Sequence, residues 1–507
     1  MPRLVLLGLD AGDKDYIQSR ISALPCLQKQ LHSGRLFTLD APKALSGSVW
    51  PTFYNGADPG VHGIYQHLVW DTRRMGIRRI GADWCYYRPF WQDIEEAGHH
   101  VIVLDVPYSF PVALKQGIEI TDWGTHGQTF PVASNRHDVQ ALLNRIGKSP
   151  IGRETPIQKT PKELHTIHRQ LIKSAEVKGQ LIMELAGMPD WNVLLAVFAE
   201  THRGGHIFFS DEDEKPFDRV TPLLEIYQTV DRALARIIDQ VDDETTVVIF
   251  SAHGMMRDYA QGHLVRPLMK KINEVFLETH CHISPKHSWK ANSLIPYLRK
   301  AVPPRLQYAI GASSPDVVRE WVVEKEMIGG LDWSVTPAFA LRTDIRTEIR
   351  LNLIGRESQG MLQPHSERQD AYVNFMKSVF LELRDRETDT RLVDEVVDTH
   401  HIFPGARNTL LPDFVITWHP RPFVKRAYSP LVGDLTSAQL PDARGGDHTD
   451  YGFAIVPHSM ADLHPLQHIT DIAGMSKRFV NGSRQAFPLE NIFPPLPKKR
   501  DVKAPDQ

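Results

Sequence analysis

The chain has 507 residues, 42% hydrophobic and 23% charged, with a formal net charge of −3. That balance excludes a disordered chain and leaves no basic surplus for an obligate nucleic-acid partner. Three cysteines, Cys26, Cys85 and Cys281, form no disulfide framework and point to a reducing compartment. The opening apolar run stops at Asp10, short of a signal segment, and no run approaches the roughly 20 apolar residues of a membrane helix, so a cytoplasmic protein with no membrane partner is expected.

In chain order, residues 4–9 are a continuous apolar run of the kind a parallel strand buried on both faces requires, and it delivers Asp10 at its C-terminal end. A helical segment at 90–97 precedes a second such run at 101–106, and a third lies at 192–199. An amphipathic helix carrying Leu223, Tyr227, Val230, Leu234 and Ile237 on one stripe leads to a fourth run at 246–250. Strands alternating with helices predict an α/β fold with a mostly parallel central sheet sandwiched by helices. Residues 260–329 break the rhythm, being helical in pattern and rich in Lys, Arg and Pro, and read as a helical cap insertion. Strand character returns at 336–353 and 413–418. The expected organisation is a discontinuous catalytic core over 1–259 and 330–475, the cap between its two parts, and a Pro-rich, basic C-terminal extension over 476–507.

Polar residues collect where the apolar runs end. They are Asp10; Ser46-Gly47-Ser48 followed by Asn55-Gly56 and Pro59, His62 and Gly63; Glu200 to His206; and Ser251-Ala252-His253-Gly254-Met255; a fifth segment, Gly446-Asp447-His448, leads into a further run at 453–456. In open α/β sheets ligands bind at this end of the strands. His202 and His206 are four apart, so on a helix both imidazoles face one side and can share a metal. Asp10, His253 and His448 are residue types that complete zinc-like ligand sets. A serine beside a bound metal becomes a nucleophile, and two ions about 3.5–4 Å apart would clamp an in-line displacement at phosphorus or sulfur. A single His pair among 24 histidines carries little weight; the joint pattern at successive strand ends carries the reading.

This ordered set resembles the alkaline phosphatase superfamily, in its type I phosphodiesterase/nucleotide pyrophosphatase branch. There a strand ends in Asp, and a Thr or Ser nucleophile lies ten residues before a Gly that is followed by Pro and His-Gly-Ile. Here the stretch from Asn55 to Ile64 matches that tail, and counting back from Gly56 reaches Ser46. The elements His202 to His206, Ser251 to Met255 and Gly446 to His448 follow in the branch's order. The resemblance implies an alkaline phosphatase-like fold and a hydrolase of phosphate esters working through a covalent phospho-Ser46. It implies a divalent metal, zinc first and Mn or Mg next, as one or two ions. One ion would take His202, His206 and His448, the other Asp10, Ser46 and His253. Two carboxylates of the branch are missing, His202 standing in place of one Asp and Ala252 in place of another. Glu200, Asp447 and Asn55 are the additional residues within sequence reach of the site. The expected partner is a small anionic ester. A phospho- or sulfo-transferase, or sulfatase-like enzyme, is the alternative within the superfamily, and a degenerate metal- or ligand-binding protein the alternative outside catalysis. His280-Cys281-His282 with His287 reads as a solvated loop rather than a second metal site.

Overall fold

The computed structural model describes residues 3–81, 86–112, 114–125, 136–151, 159–209, 220–283, 302–303, 314–341, 346–436, 444–461 and 465–481. Cys85, His287 and the extension beyond residue 481 lie outside the described residues. The elements that matter for the site are, in chain order, β1 (Leu4–Leu9), β2 (Gly34–Asp40), α1 (Val49–Asn55), α2 (Phe90–Glu96), β3 (Val101–Leu104), β4 (Ile118–Ile120), α3 (Pro161–Ala186), β5 (Val193–Phe198), α4 (Glu200–Phe208), α5 (Pro222–Gln240), β6 (Thr246–Ser251), β7 (Met255–Arg257), α6 (Gly262–Cys281), α7 (Asp316–Ile328), β8 (Ala338–Ala340), β9 (Thr347–Leu351), β10 (Val393–Asp398), β11 (Phe414–Trp418), β12 (Gly446–His448), β13 (Tyr451–Pro457) and α8 (Thr470–Asn481).

Seven strands form the central sheet in the order β2-β13-β6-β1-β5-β3-β4. The run from β6 to β4 is parallel, and β13 enters antiparallel between β6 and β2. Every residue of β1 is buried, and its side chains alternate between two cores, as strand geometry dictates. Val5, Leu7 and Leu9 pack with Leu181 and Ile182 of α3 and Tyr227 and Leu234 of α5. Leu4 and Leu6 pack on the other face with Trp50 and Phe53 of α1, Trp91 of α2 and Ile472 of α8. Helices on both faces are the arrangement the continuous apolar strands require.

The strand character at 336–353 and 413–418 belongs to a separate antiparallel sheet of order β8-β9-β11-β10. Leu264, Leu268, Ile272 and Phe276 of α6 are packed against it. A further cluster joins Ala44 and Leu45 to Ile328, Phe339 and Leu341. No helix among the described residues is long and apolar enough to cross a membrane.

The β4 edge of the main sheet carries a pH-sensitive group. Glu119 is buried beneath α2, where Trp91 Nε1 and the Val112 amide donate to its two oxygens at 3.1 and 2.7 Å. Burial pushes its carboxyl from 4.5 up to about 8, against those two hydrogen bonds. A carboxyl raised in the folded state favours folding at low pH and loses that contribution as pH climbs. Stability should therefore fall by on the order of a few kcal/mol between the unfolded and folded pKa values. Glu119→Gln loses one acceptor at every pH but should flatten the slope, which thermal unfolding across the same window will read; an unchanged slope would remove Glu119 as its source.

Candidate active site

The parallel strands β5, β1 and β6 end side by side. Leu9 pairs with Phe198, and the Asp10 amide donates to Phe198 O at 2.9 Å. Thr201 Oγ1 donates to Asp10 O at 2.6 Å, and the Ser251 hydroxyl lies 2.5 Å from Leu9 O and 2.6 Å from His253 O. Three strand ends are thus tied into one rim, from which Asp10, His202 and His253 project. The ribbon β7–β12 brings in the fourth segment by pairing His448 with Met255. Gly446 is required there, because a Cβ would sit 2.6 Å from Gly205 O of α4.

Four imidazoles meet at this rim. Ring centroids are 4.6 Å apart for His202 and His206, 4.8 Å for His448 with either of them, and 4.4 Å for His253 with His448. All four are buried. His202 Nδ1 lies 2.7 Å from Asp10 Oδ2, His206 Nδ1 lies 2.7 Å from Gly446 O, and His253 Nδ1 lies 3.2 Å from Gly254 O. For His202 and His206 the oxygen partner makes Nδ1 the protonated nitrogen, so Nε2 presents a lone pair; His253 has an oxygen on both sides, its Nε2 lying 3.3 Å from Asp10 Oδ1. His448 Nε2 sits 3.2 Å from His202 Nε2 and 3.1 Å from His206 Nε2. One N–H on His448 can satisfy only one of those lone pairs, whereas a cation between the nitrogens satisfies all three. Ligand bonds of 2.0–2.1 Å in a tetrahedron separate nitrogens by about 3.3–3.4 Å, close to the spacing seen. The donor set therefore fits a divalent metal of the zinc type. Ligand atoms of His202, His253 and His448 also lie within 4.8 Å of one another. Burial alone would raise the Asp10 carboxyl, but His202 and His253 hold it well below the usual carboxylate range.

Ser46 opens the short 3₁₀ turn Ser46–Ser48 that leads into α1. Gly47 is the close approach of this turn to the chain at Tyr65, whose carbonyl oxygen a Cβ would meet at 2.2 Å. Ser46 is 8% exposed and its hydroxyl makes no hydrogen bond among the described residues. Ser48 is fully buried, with its hydroxyl 3.4 Å from Thr52 Oγ1. One turn on, Trp50 Nε1 donates to Asp10 Oδ1 at 2.7 Å and docks α1 on the rim. His62, from the same matched tail, is structural. It accepts from the Ile64 amide at 3.0 Å and lies 3.1 Å from Thr52 Oγ1, and burial lowers its pKa to about 3.

Three candidates turn away from the imidazoles. Asn55 donates to Pro51 O and accepts from the Arg88 amide, both at 2.9 Å, so both ends of its amide are taken up in holding the end of α1. Glu200 points down into the core, where Ser174 Oγ donates to it at 2.6 Å and Lys178 Nζ lies 3.6 Å away. Asp447 accepts from the His448 amide at 2.6 Å and faces Arg346 at 3.9 Å; burial pushes its carboxyl up to about 6 against that arginine. Two further contributors come from contacts distant in sequence: Trp50 at Asp10, and Arg346, which donates to His448 O at 3.0 Å. Arg350 is a fully buried partner of Glu357, and His280 stacks on Phe276.

A model of the type I phosphodiesterase / nucleotide pyrophosphatase family matches residues 4–326. Among curated proteins, none matches the sequence. Among solved structures, phosphonoacetate hydrolase from Sinorhizobium meliloti 1021 superposes with TM-scores of 0.52 in complex with phosphonoformate and 0.51 in complex with phosphonoacetate, at 12% identity over 94% of this chain and 95% of that one. The wild-type alkaline phosphatase PafA gives a TM-score of 0.51 at 12% identity, over 94% of this chain and 96% of that one. These likenesses concern the fold, which is alkaline phosphatase-like.

Proposed function

The chain belongs to the type I phosphodiesterase/nucleotide pyrophosphatase family, and from that premise we propose that it is a metal-dependent hydrolase of phosphate esters acting through Ser46. The observation that carries this reading is the convergence of four imidazoles and Asp10 on the C-terminal rim of the parallel sheet. His202, His206 and His448 are the residues that would hold a zinc-type ion, with Asp10 and His253 beside them. Such an ion, when bound, supplies Lewis acidity toward a phosphoryl oxygen and lowers the pKa of a nearby hydroxyl or water.

The chain's own residues supply the rest. Ser46 Oγ attacks phosphorus and the ester alcohol departs, leaving phospho-Ser46; water then displaces the serine and releases phosphate. Asp10 holds the His202 ring through Nδ1, and the Gly446 carbonyl does the same for His206, which fixes both tautomers. Arg346 braces the backbone of His448 and adds positive charge beside the rim. In this reading, the segment containing α7 shapes the leaving-group side, supported by the core that Ile328 shares with Ala44 and Leu45 just before Ser46.

The test is hydrolysis of chromogenic phosphate monoesters, phosphate diesters and sulfate esters by purified protein, before and after chelation. Chelation should abolish phosphate-ester turnover, and zinc, manganese or magnesium should restore it to different degrees. Turnover that survives exhaustive chelation would refute metal dependence, and a preference for sulfate esters would move the enzyme to the sulfatase-like side of the superfamily.

A further inference from the structure

We infer that this centre takes a single divalent cation, on the Nε2 atoms of His202, His206 and His448, and that Asp10 is a positioning residue for His202 rather than a ligand to a second ion. The inference rests on the metal-dependent reading above and specifies how many ions it involves.

Asp10 has both oxygens engaged. Oδ2 is 2.7 Å from His202 Nδ1, and Oδ1 is 2.7 Å from Trp50 Nε1 and 3.3 Å from His253 Nε2. An indole nitrogen only donates, so the Trp50 contact directs a proton at the oxygen a second ion would need. Trp50 cannot swing away easily. It is 2% exposed and wedged edge-on between Phe53 and Phe250, with ring centroids at 5.4 and 6.0 Å. The neighbouring strand end offers no substitute, because Ala252 is fully buried and packed in the same core as Trp50 and Phe250.

Charge leads to the same count. Of the other acidic candidates, Glu200 gives one oxygen to Ser174 and Lys178, and Asp447 faces its own backbone and Arg346. With one divalent ion and ionised Asp10, the buried centre carries a single net positive charge. A second ion would raise that to a net three with Asp10 as the one carboxylate touching these imidazoles among the described residues, beside the Arg346 guanidinium, which is costly in a poorly solvated site. The carboxylate–imidazole–cation chain from Asp10 through His202 is instead the usual way a carboxylate outside the ligand set orients a metal-binding histidine.

The test is stoichiometry. Chelator-stripped protein is titrated with Zn²⁺ by calorimetry, bound metal is counted by mass spectrometry, and Co²⁺ is used as an optical probe of four-coordination. One equivalent per chain is expected. Asp10→Asn should keep one equivalent and bind it about 10–100-fold more weakly. A double variant, Trp50→Phe with Ala252→Asp, frees one Asp10 oxygen and restores a carboxylate, so it should take up a second equivalent. Near-UV circular dichroism checks that each variant is folded, and the wild-type count decides the matter even if the double variant fails that check. Two equivalents in the wild-type protein would overturn the single-ion centre while leaving the hydrolase reading standing. No equivalent at all would overturn the metal-dependent reading beneath it. Complete loss of binding in folded Asp10→Asn would make Asp10 a ligand, and a folded double variant with one equivalent would clear Trp50 and Ala252 of excluding the second ion.

Discussion

Ser46→Ala should lower turnover of a phosphate ester by on the order of three powers of ten or more, while Ser48→Ala leaves turnover within about tenfold of the parent. The two hydroxyls lie two residues apart in one turn but in different surroundings. Ser46 keeps some exposure and its hydroxyl is uncommitted among the described residues, as a group that must reach an incoming phosphorus has to be. Ser48 is sealed, and its nearest polar neighbour is Thr52 on its own helix. Losing the Ser48 hydroxyl should register as stability, about 1 kcal/mol, and losing Ser46 as rate with little change in Tm. Acid quenching during turnover, followed by peptide mass spectrometry, should find the phosphoryl group on residue 46. The reverse pattern, with Ser48→Ala dead and Ser46→Ala active, would move the nucleophile two residues along.

The parts of this molecule that were legible beforehand are those whose physics is local. β1, β5 and β6 are continuous apolar runs because both their faces are covered, and each shows as such in the sequence. The stripe on α5 is buried along its whole length. β2 was missed because it is an edge strand whose apolar residues are interrupted by exposed Arg35, Thr38 and Asp40. α3 was missed although Thr160 and Glu163 form a capping box at its start. Within the site, the segments that deliver histidines are visible because His202, His206 and His253 follow strand ends and His448 stands just before the last strand of the main sheet. What these segments touch is not visible. The Trp50–Asp10 bond spans 40 residues and the Arg346–His448 bond 102, and no local pattern reports on contacts of that separation. Glu200 is the converse case. Its place beside the histidines is legible, but its contact with a cation on α3 is not.

That cation is the basis of the largest stability effect expected. Lys178 is fully buried, with Nζ 2.8 Å from Asp105 Oδ2, 3.6 Å from Glu200 Oε1 and 3.1 Å from Val197 O. Burial opposes its charge, yet Asp105 and Glu200 together raise its pKa above the ordinary lysine value. Asp105 is raised by burial in spite of Lys178, and the Trp123 and Gly124 amides donate to it at 2.6 and 2.8 Å. The arrangement works only as a set. Lys178→Met would fill the space with a chain of similar length but leave two carboxylates in the core without their cation, and should cost about 3–5 kcal/mol, a large share of the roughly 5–15 kcal/mol of a typical domain. The loss should depend on pH with a definite sign. Without Lys178, burial favours the protonated form of Asp105 still more, so its folded pKa rises further. The variant should come closest to the parent below the unfolded carboxyl pKa and fall behind as pH climbs. Adding Glu200→Gln to Lys178→Met removes one stranded charge and should recover part of the deficit at neutral pH. Because α4 begins at Glu200 and carries His202 and His206 over its next two turns, the single variant should also bind metal more weakly than the double. Denaturant titrations at acidic and neutral pH, with zinc affinity measured on the same samples, test the whole chain of reasoning. If Lys178→Met matched the parent's stability at neutral pH, the buried ionic set would not be supporting the helix that carries the metal ligands.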